Sequence, residues 1–135
     1  MYNHFLNASL YEALLNHTAC IFFTPQGAIK HASQRFLEVM GYRLQDIKGQ
    51  HHRIFCDHTE TQRPAYQSFW LSLAAGKSHH GRFRRFKENG EEVWLEATYN
   101  PVTDAEGNVI EVVKFASNIT PLVEKATATS GTISS

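Results

Sequence analysis

The chain has little of what marks a secreted, membrane-spanning or nucleic-acid-coating protein. Cysteine occurs only twice in 135 residues, at Cys20 and Cys56. Two thiols cannot build the disulfide framework of a small secreted domain, so free thiols in a reducing, cytoplasmic compartment are expected. Neither sign of charge is in excess, with 13 Lys plus Arg against 13 Asp plus Glu. No global field therefore recruits nucleic acid or an anionic bilayer. No apolar run approaches the roughly 20 residues of a membrane span, so no direct membrane insertion is expected. Met1 is followed by Tyr, Asn and His, not by a basic stretch and an apolar core, which predicts no signal peptide. Catalytic signatures are missing too. There is no Gly-x-Ser-x-Gly elbow, no glycine loop that cradles phosphate and no His-Glu-x-x-His pair, and an enzyme is not expected.

What the chain does have is alternation. Between Gly81 and Thr120 it reads as three consecutive strands. Asn89-Gly90 supplies the first tight turn and Asp104 to Asn108 the second. Val93, Leu95, Ala97 and Tyr99 alternate with Trp94, Glu96, Thr98 and Asn100, the period of a half-buried strand. Such a meander needs a cover for its apolar face. Upstream, Ala19 to Thr24 reads as a buried strand, Pro25-Gln26-Gly27 as a turn, and Ala28 to His31 as a partner strand. Ser33 opens a helix that Gly41 stops, and Leu44 to Ile47 adds a turn. The stretch from His51 to Gln62 shows no period and is expected to be irregular. Pro64 at the first helical position begins a helix to Ala75 with Tyr66, Phe69, Trp70 and Leu73 on one side. At the amino end, residues 5–16 are expected to form an amphipathic helix presenting Leu6, Leu10, Ala13 and Leu14. The resulting class is α+β: a five-stranded antiparallel sheet with helices on one face. Residues 1–17 form a helical cap, 18–120 one domain, and 121–135 the start of an exit helix followed by a small, polar linker.

The order of these pieces resembles the PAS sensor domain. The matching residues are the strand-turn-strand of 19–31, Phe36 to Tyr42, Asp46-Ile47-Lys48-Gly49, Lys87 to Gly90, Trp94, Asn100-Pro101-Val102, Asp104 to Gly107 and Asn118-Ile119-Thr120. Gly49 to Phe55, Phe69 to Leu73 and Gly81-Arg82-Phe83 are similar to PAS domains of cytoplasmic methyl-accepting chemotaxis proteins and aerotaxis-type receptors. The resemblance implies a sensory module with a cavity between sheet and helices, holding FAD, haem or no cofactor, and a carboxy-terminal output domain as partner. Three positions depart from the family pattern: Ser33 replaces an Asn, Asn118 replaces an Asp, and Cys56-Asp57-His58 stands where flavin-binding relatives have Arg-His-x-Asp.

Histidine is the compositional excess, at eight residues, and His51, His52 and His58 cluster with Arg53, Cys56 and Asp57. His52 and Cys56 have the spacing of two metal ligands on a helix, but no second pair stands at zinc-finger spacing. His52 or His58 is a candidate axial haem ligand. With a flavin, Arg53 and the histidines would meet phosphate, Trp70 would wall the ring, and inner-face residues such as Leu95 would back the cavity. Against these readings, clustered histidines are most often surface or capping residues, and Trp70 has helical core spacing. Lys114 shares a face with Val112 and Ala116, and if that face is the inner one it is a buried cation in need of a partner. Arg82 and Arg84 lie opposite Phe83 and Arg85 and are expected to pair with acids such as Glu92 and Glu96. Trp94 points to the outer face, where the helix bearing Leu6, Leu10 and Leu14 is expected to join it in a homodimer contact.

Overall fold

Turn chemistry fixes the sheet. Gly90 takes φ 89°, a value open to glycine without strain, and closes the hairpin between β3 (His79–Phe86) and β4 (Glu92–Thr103). Asp104 Oδ1 accepts from the N–H groups of Glu106 and Asn108, both at 2.9 Å, and turns the chain into β5 (Val109–Asn118). The free edge of β5 pairs with β1 (Cys20–Phe23), which pairs in turn with β2 (Ile29–Ala32). The computed structural model, which describes residues 2–126 with side chains from Ala8 onward, therefore has one five-stranded antiparallel sheet in the order β2-β1-β5-β4-β3.

One face of that sheet is the core. Ile21, Phe23, Val93, Leu95, Ala97, Tyr99 and Val112 are all buried on it. Helices α2 (Gln34–Met40), α3 (Leu44–Ile47) and α5 (Pro64–Ala74) cover the face with Phe36, Met40, Ile47, Trp70 and Leu73. Each such side chain contributes about 1.5–3 kcal/mol by leaving water. Ser33 caps α2 and also ties it to the sheet: its Oγ accepts from Phe36 N–H at 3.3 Å and from Cys20 N–H at 2.9 Å.

The stretch from His51 to Gln62 is not irregular. It holds a 3-10 helix (His52–Phe55) and the short helix α4 (His58–Thr61). Each begins on a side-chain cap: His51 accepts from Arg53 N–H and Asp57 from Thr59 N–H. A histidine cap leaves no hydrophobic period, so pattern alone does not show it.

The opposite face is partly covered by α1 (Tyr2–His17), which begins earlier than residue 5. Of the expected row Leu14 packs: with Leu15 it lies against Cys20, Phe22, Val113 and Phe115 of β1 and β5, and the edge of the cluster is met by Tyr11, whose ring is 5.3 Å from that of Phe22. Leu10 is 60% exposed, Ala13 is exposed, and the side chain of Leu6 lies outside the described residues. Trp94 does stand on the outer face, across from Arg84, but half-buried beside Asp57, Thr59 and Arg82 and not beneath α1. Arg82 and Arg84 pair with Glu96 and Glu92, each at 3.4 Å.

The exit helix, α6 (120–126), starts against the sheet. Ile119 N–H donates to Trp94 O and Trp94 N–H to Thr120 Oγ1, both at 2.9 Å. Asn118, lacking the charge of an Asp, still caps the turn by accepting from Thr120 N–H at 3.0 Å. The expected tail over 127–135 lies outside the described residues.

Candidate ligand site

Period-two alternation places Arg85 and Lys114 on the inner face, among the apolar side chains of the core. Arg85 sits opposite Val93, and Lys114 is flanked by Ile21 and Tyr99. Both are buried. Each contacts Tyr99: Arg85 Nη2 lies 3.4 Å from the phenol oxygen, and Lys114 Nζ lies 4.9 Å from the ring centre. The Tyr99 hydroxyl is 2.9 Å from His52 Nε2, and His52 Nδ1 is 2.8 Å from the Tyr66 hydroxyl. We assign the chain so that Arg85 donates to the Tyr99 oxygen, Tyr99 donates to His52 Nε2, and His52 Nδ1–H donates to Tyr66. Phe23, Phe55, Phe69 and Trp70 pack around the imidazole.

This interior is rich in donors and poor in acceptors. Among the described residues, Lys114 Nζ, Arg85 Nε and Trp70 Nε1 are buried and have no acceptor in hydrogen-bonding geometry. One carboxylate reaches the site. Glu60 of α4 places its two oxygens 3.2 and 3.3 Å from Arg85 Nη1. Titration follows from burial. His52 and Lys114 are pushed well below their ordinary values, first by burial and then by the Arg85 charge. Burial opposes the Arg85 charge, but Tyr99, Cys56 and Glu60 outweigh it and keep the guanidinium protonated. Burial pushes the Tyr99 phenol up to about 12 and raises the Cys56 thiol, whose Sγ is 3.6 Å from His52 Nδ1.

Outside this cluster is a cleft of about 850 Å³ between the β1–β2 turn, the 3-10 helix and α5. His51, Arg53, His58, Arg63, Tyr66 and Trp70 line it, and among the described residues no carboxylate does. Trp70 and Tyr66 thus separate an open basic cleft from the buried donors. Gly27 is part of the same wall: a Cβ there would stand 2.6 Å from His51 Nε2 and 3.1 Å from the Trp70 ring.

Of the residues singled out from sequence, Arg53, His58 and Trp70 come together at the cleft. His52, Leu95 and Lys114 lie behind it in the core. His51 and His52, adjacent in the chain, part company: one caps a turn at the surface and the other is fully buried. Tyr66, Glu60 and Arg85 were missed as site residues. For Arg85 a signal existed, since it alternates with Arg84 and shares the parity of Phe83.

The comparison with family models settles the lineage, because the model described as the PAS fold matches residues 29–116. The chain belongs to the PAS-fold family. Among curated relatives, this PAS domain is 42% identical over 113 residues to biofilm dispersion protein BdlA of Pseudomonas aeruginosa, covering 84% of this chain and 27% of that protein. It is 31% identical over 77 residues to the aerotaxis receptor of Escherichia coli K12, covering 57% of this chain and 15% of the receptor. The chain thus spans about a quarter or less of the length of these relatives. Solved structures share its fold. An RNA-binding light-oxygen-voltage receptor superposes with TM-score 0.79 at 20% identity, over 98% of this chain and 38% of that one. The dark-state LOV domain of the photoreceptor Aureochrome1 does so with TM-score 0.68 at 21% identity, over 94% of each chain. This is a PAS sensor domain similar to those of chemotaxis- and aerotaxis-type receptors. Among the described residues, no helix is long and apolar enough to cross a membrane.

Proposed function

We propose that this PAS domain is the sensory module of a chemotaxis- or aerotaxis-type signal transduction protein, taking a small ligand on the buried donors of its inner face. The observation that carries this reading is the set of three buried N–H donors without acceptors, two of which, Lys114 Nζ and Arg85 Nε, belong to side chains that contact Tyr99. Leaving a buried donor unpaired costs about 1–3 kcal/mol, so a folded chain that keeps several of them has a use for them. β5 links the site to the output, running from Lys114 to Asn118 and the anchored start of α6. A ligand that favours one arrangement of β4 and β5 over another would thereby bias the exit helix toward an output domain.

The two chromophores fit unequally. Haem does not fit the buried imidazole: both nitrogens of His52 are engaged by tyrosines, and aromatic rings fill the space a porphyrin would need. His58 stands at the cleft rim, away from these rings. A flavin nucleotide is the second reading, favoured by the basic cleft without carboxylates, where Arg53, Arg63 and the histidines suit phosphate. Its ring could reach Lys114 only if Trp70 and Tyr66 moved. The absorption spectrum of protein purified from cells separates the two readings. The small-ligand reading expects neither flavin bands nor a Soret band; flavin bands in stoichiometric amount would replace it with the flavin reading.

The self-filled core also suits a domain that works as a homodimer without any cofactor. The exposed Leu10 on α1 is an apolar side chain available for that contact. Sedimentation of the wild type is expected to show a dimer that Leu10→Glu weakens at least tenfold. A strict monomer at high concentration would reject the contact.

A further inference from the structure

The donors also indicate which chemical class of ligand belongs there. Arg85 is 2% exposed, and Glu60, its one carboxylate partner among the described residues, is 39% exposed. Arg85 Nη1 is taken by Glu60 and by the carbonyl of Arg84 at 2.8 Å. The opposite edge of the guanidinium is underused: Nε has no acceptor, and Nη2 has only the long 3.4 Å contact to Tyr99. A guanidinium edge with two parallel N–H groups is the shape that a carboxylate fills with two bonds. Behind it, Lys114 sits over the Tyr99 ring with no acceptor of its own. With Lys114 protonated the interior would hold two cations against one carboxylate, so one further anion completes the balance.

Space limits the size of that anion. A pocket of about 190 Å³ opens beside Arg85, walled by Glu60, Arg63, Tyr66, Phe69 and Phe83. At about 30 Å³ per water it holds roughly six waters, hence a molecule of about six non-hydrogen atoms. Flavin and haem are far larger. The aromatic walls suit a short hydrocarbon stem, and succinate has more non-hydrogen atoms than the space holds.

We infer that this pocket is a receptor site for small monocarboxylates of two to four carbons. The ligand carboxylate pairs with the free edge of Arg85, and its charge favours the protonated form of Lys114. Lys114 lies on β5, which leads to the exit helix, and Arg85 lies on β3, joined to β5 through β4, so occupancy is read by the sheet. The inference rests on the sensory reading above and names the ligand class for the same buried donors.

The test uses the full chain, dialysed free of buffer carboxylates, with acetate, propionate, pyruvate, succinate and the neutral analogue acetamide as probes. Thermal denaturation and calorimetry at pH 7.5 are expected to show saturable binding of the monocarboxylates. Acetamide and succinate are expected to bind at least tenfold more weakly. Calorimetry in two buffers of different ionisation enthalpy is expected to report proton uptake as the carboxylate binds. Lys114→Met, which replaces the amine with an apolar side chain of similar length, is expected to weaken binding at least tenfold and abolish proton uptake. Glu60→Gln, at a half-exposed position, is expected to fold and to bind carboxylate more tightly, because it removes the competing anion. Equal binding of acetate and acetamide, or unchanged affinity in Lys114→Met, overturns the inference. So does the absence of binding by every carboxylate. If that absence comes with a stoichiometric flavin spectrum, the sensory reading stands and only the ligand class fails. If it comes with no chromophore and a stable dimer, the ligand reading fails as well, and the cofactor-free module takes its place.

Discussion

Lys114→Met is expected to make the ligand-free protein more stable, not less. The amine is fully buried, has no acceptor, and lies between the rings of Tyr99 and Phe36. Methionine fills nearly the same volume without a polar group to desolvate. Removing the unpaired donor is expected to add about 1–3 kcal/mol, read as a higher urea midpoint at unchanged slope. An ordinary core lysine held by a hidden partner would behave in the opposite way and lose stability. The gain in stability is expected to come with a loss of ligand response, the pattern of a residue kept for function at a cost to the fold.

The second large effect is a dependence of stability on pH. Lys114 and His52 both have folded-state values below their unfolded ones. Between the folded and unfolded values of such a group the unfolded chain binds the extra proton, so stability rises with pH across that window. For Lys114 the window ends near the unfolded value of about 10.4, and for His52 near about 6.5. Wild-type stability is therefore expected to rise with pH toward each of these upper limits, by up to about 1.4 kcal/mol per unit for each group titrating. The tyrosines then act the other way. Tyr99 and Tyr66 hold their protons in the fold, so their ionisation in the unfolded chain removes stability above about pH 10. Urea unfolding at one-unit intervals checks this profile. A wild-type curve that does not rise on the approach to pH 10 contradicts it, and such a flat curve is expected for Lys114→Met.

Much of this was legible in the chain, for reasons that can be named. The meander was readable because Asn89-Gly90 and Asp104 to Asn108 are turn chemistry, and because period-two alternation places Val93, Leu95, Ala97 and Tyr99 on one face. The same alternation placed Lys114 inside and Trp94 outside. The interior network was not readable, because it depends on side-chain tips that meet across elements. Nothing in the local pattern distinguishes Tyr66 as a hydroxyl donor or acceptor from Tyr66 as an apolar ring. Nor does it say that His51 turns outward to cap while His52 turns inward. Arg85 was hidden in a basic run whose other members pair at the surface, and Glu60 lay in a stretch with no period. The α1 helix shows the limit in another way: its leucine row was visible, but Leu14 packs on the sheet while Leu10 stays exposed.

The open basic cleft and the filled interior meet at Trp70 and Tyr66. Tyr66 belongs to both, lining the cleft and bonding His52 behind it. A ligand that enters near Arg85 and one that rests in the cleft would therefore press on the same two rings. The sheet beyond them carries the change through β5 to Ile119 and Thr120, which Trp94 holds by two backbone-directed bonds.

The central claim is that Lys114 is a buried amine without an acceptor, whose proton is held weakly until an anion enters. It is tested most directly by following the Lys114 ¹³Cε resonance as a function of pH, assigned by comparison with Lys114→Met, in the presence and absence of acetate. The account expects a midpoint well below the ordinary value of about 10.4 in the free protein and an upward shift of at least one unit when acetate is bound. A midpoint at or above the ordinary value without acetate, or the same midpoint in both titrations, would contradict it.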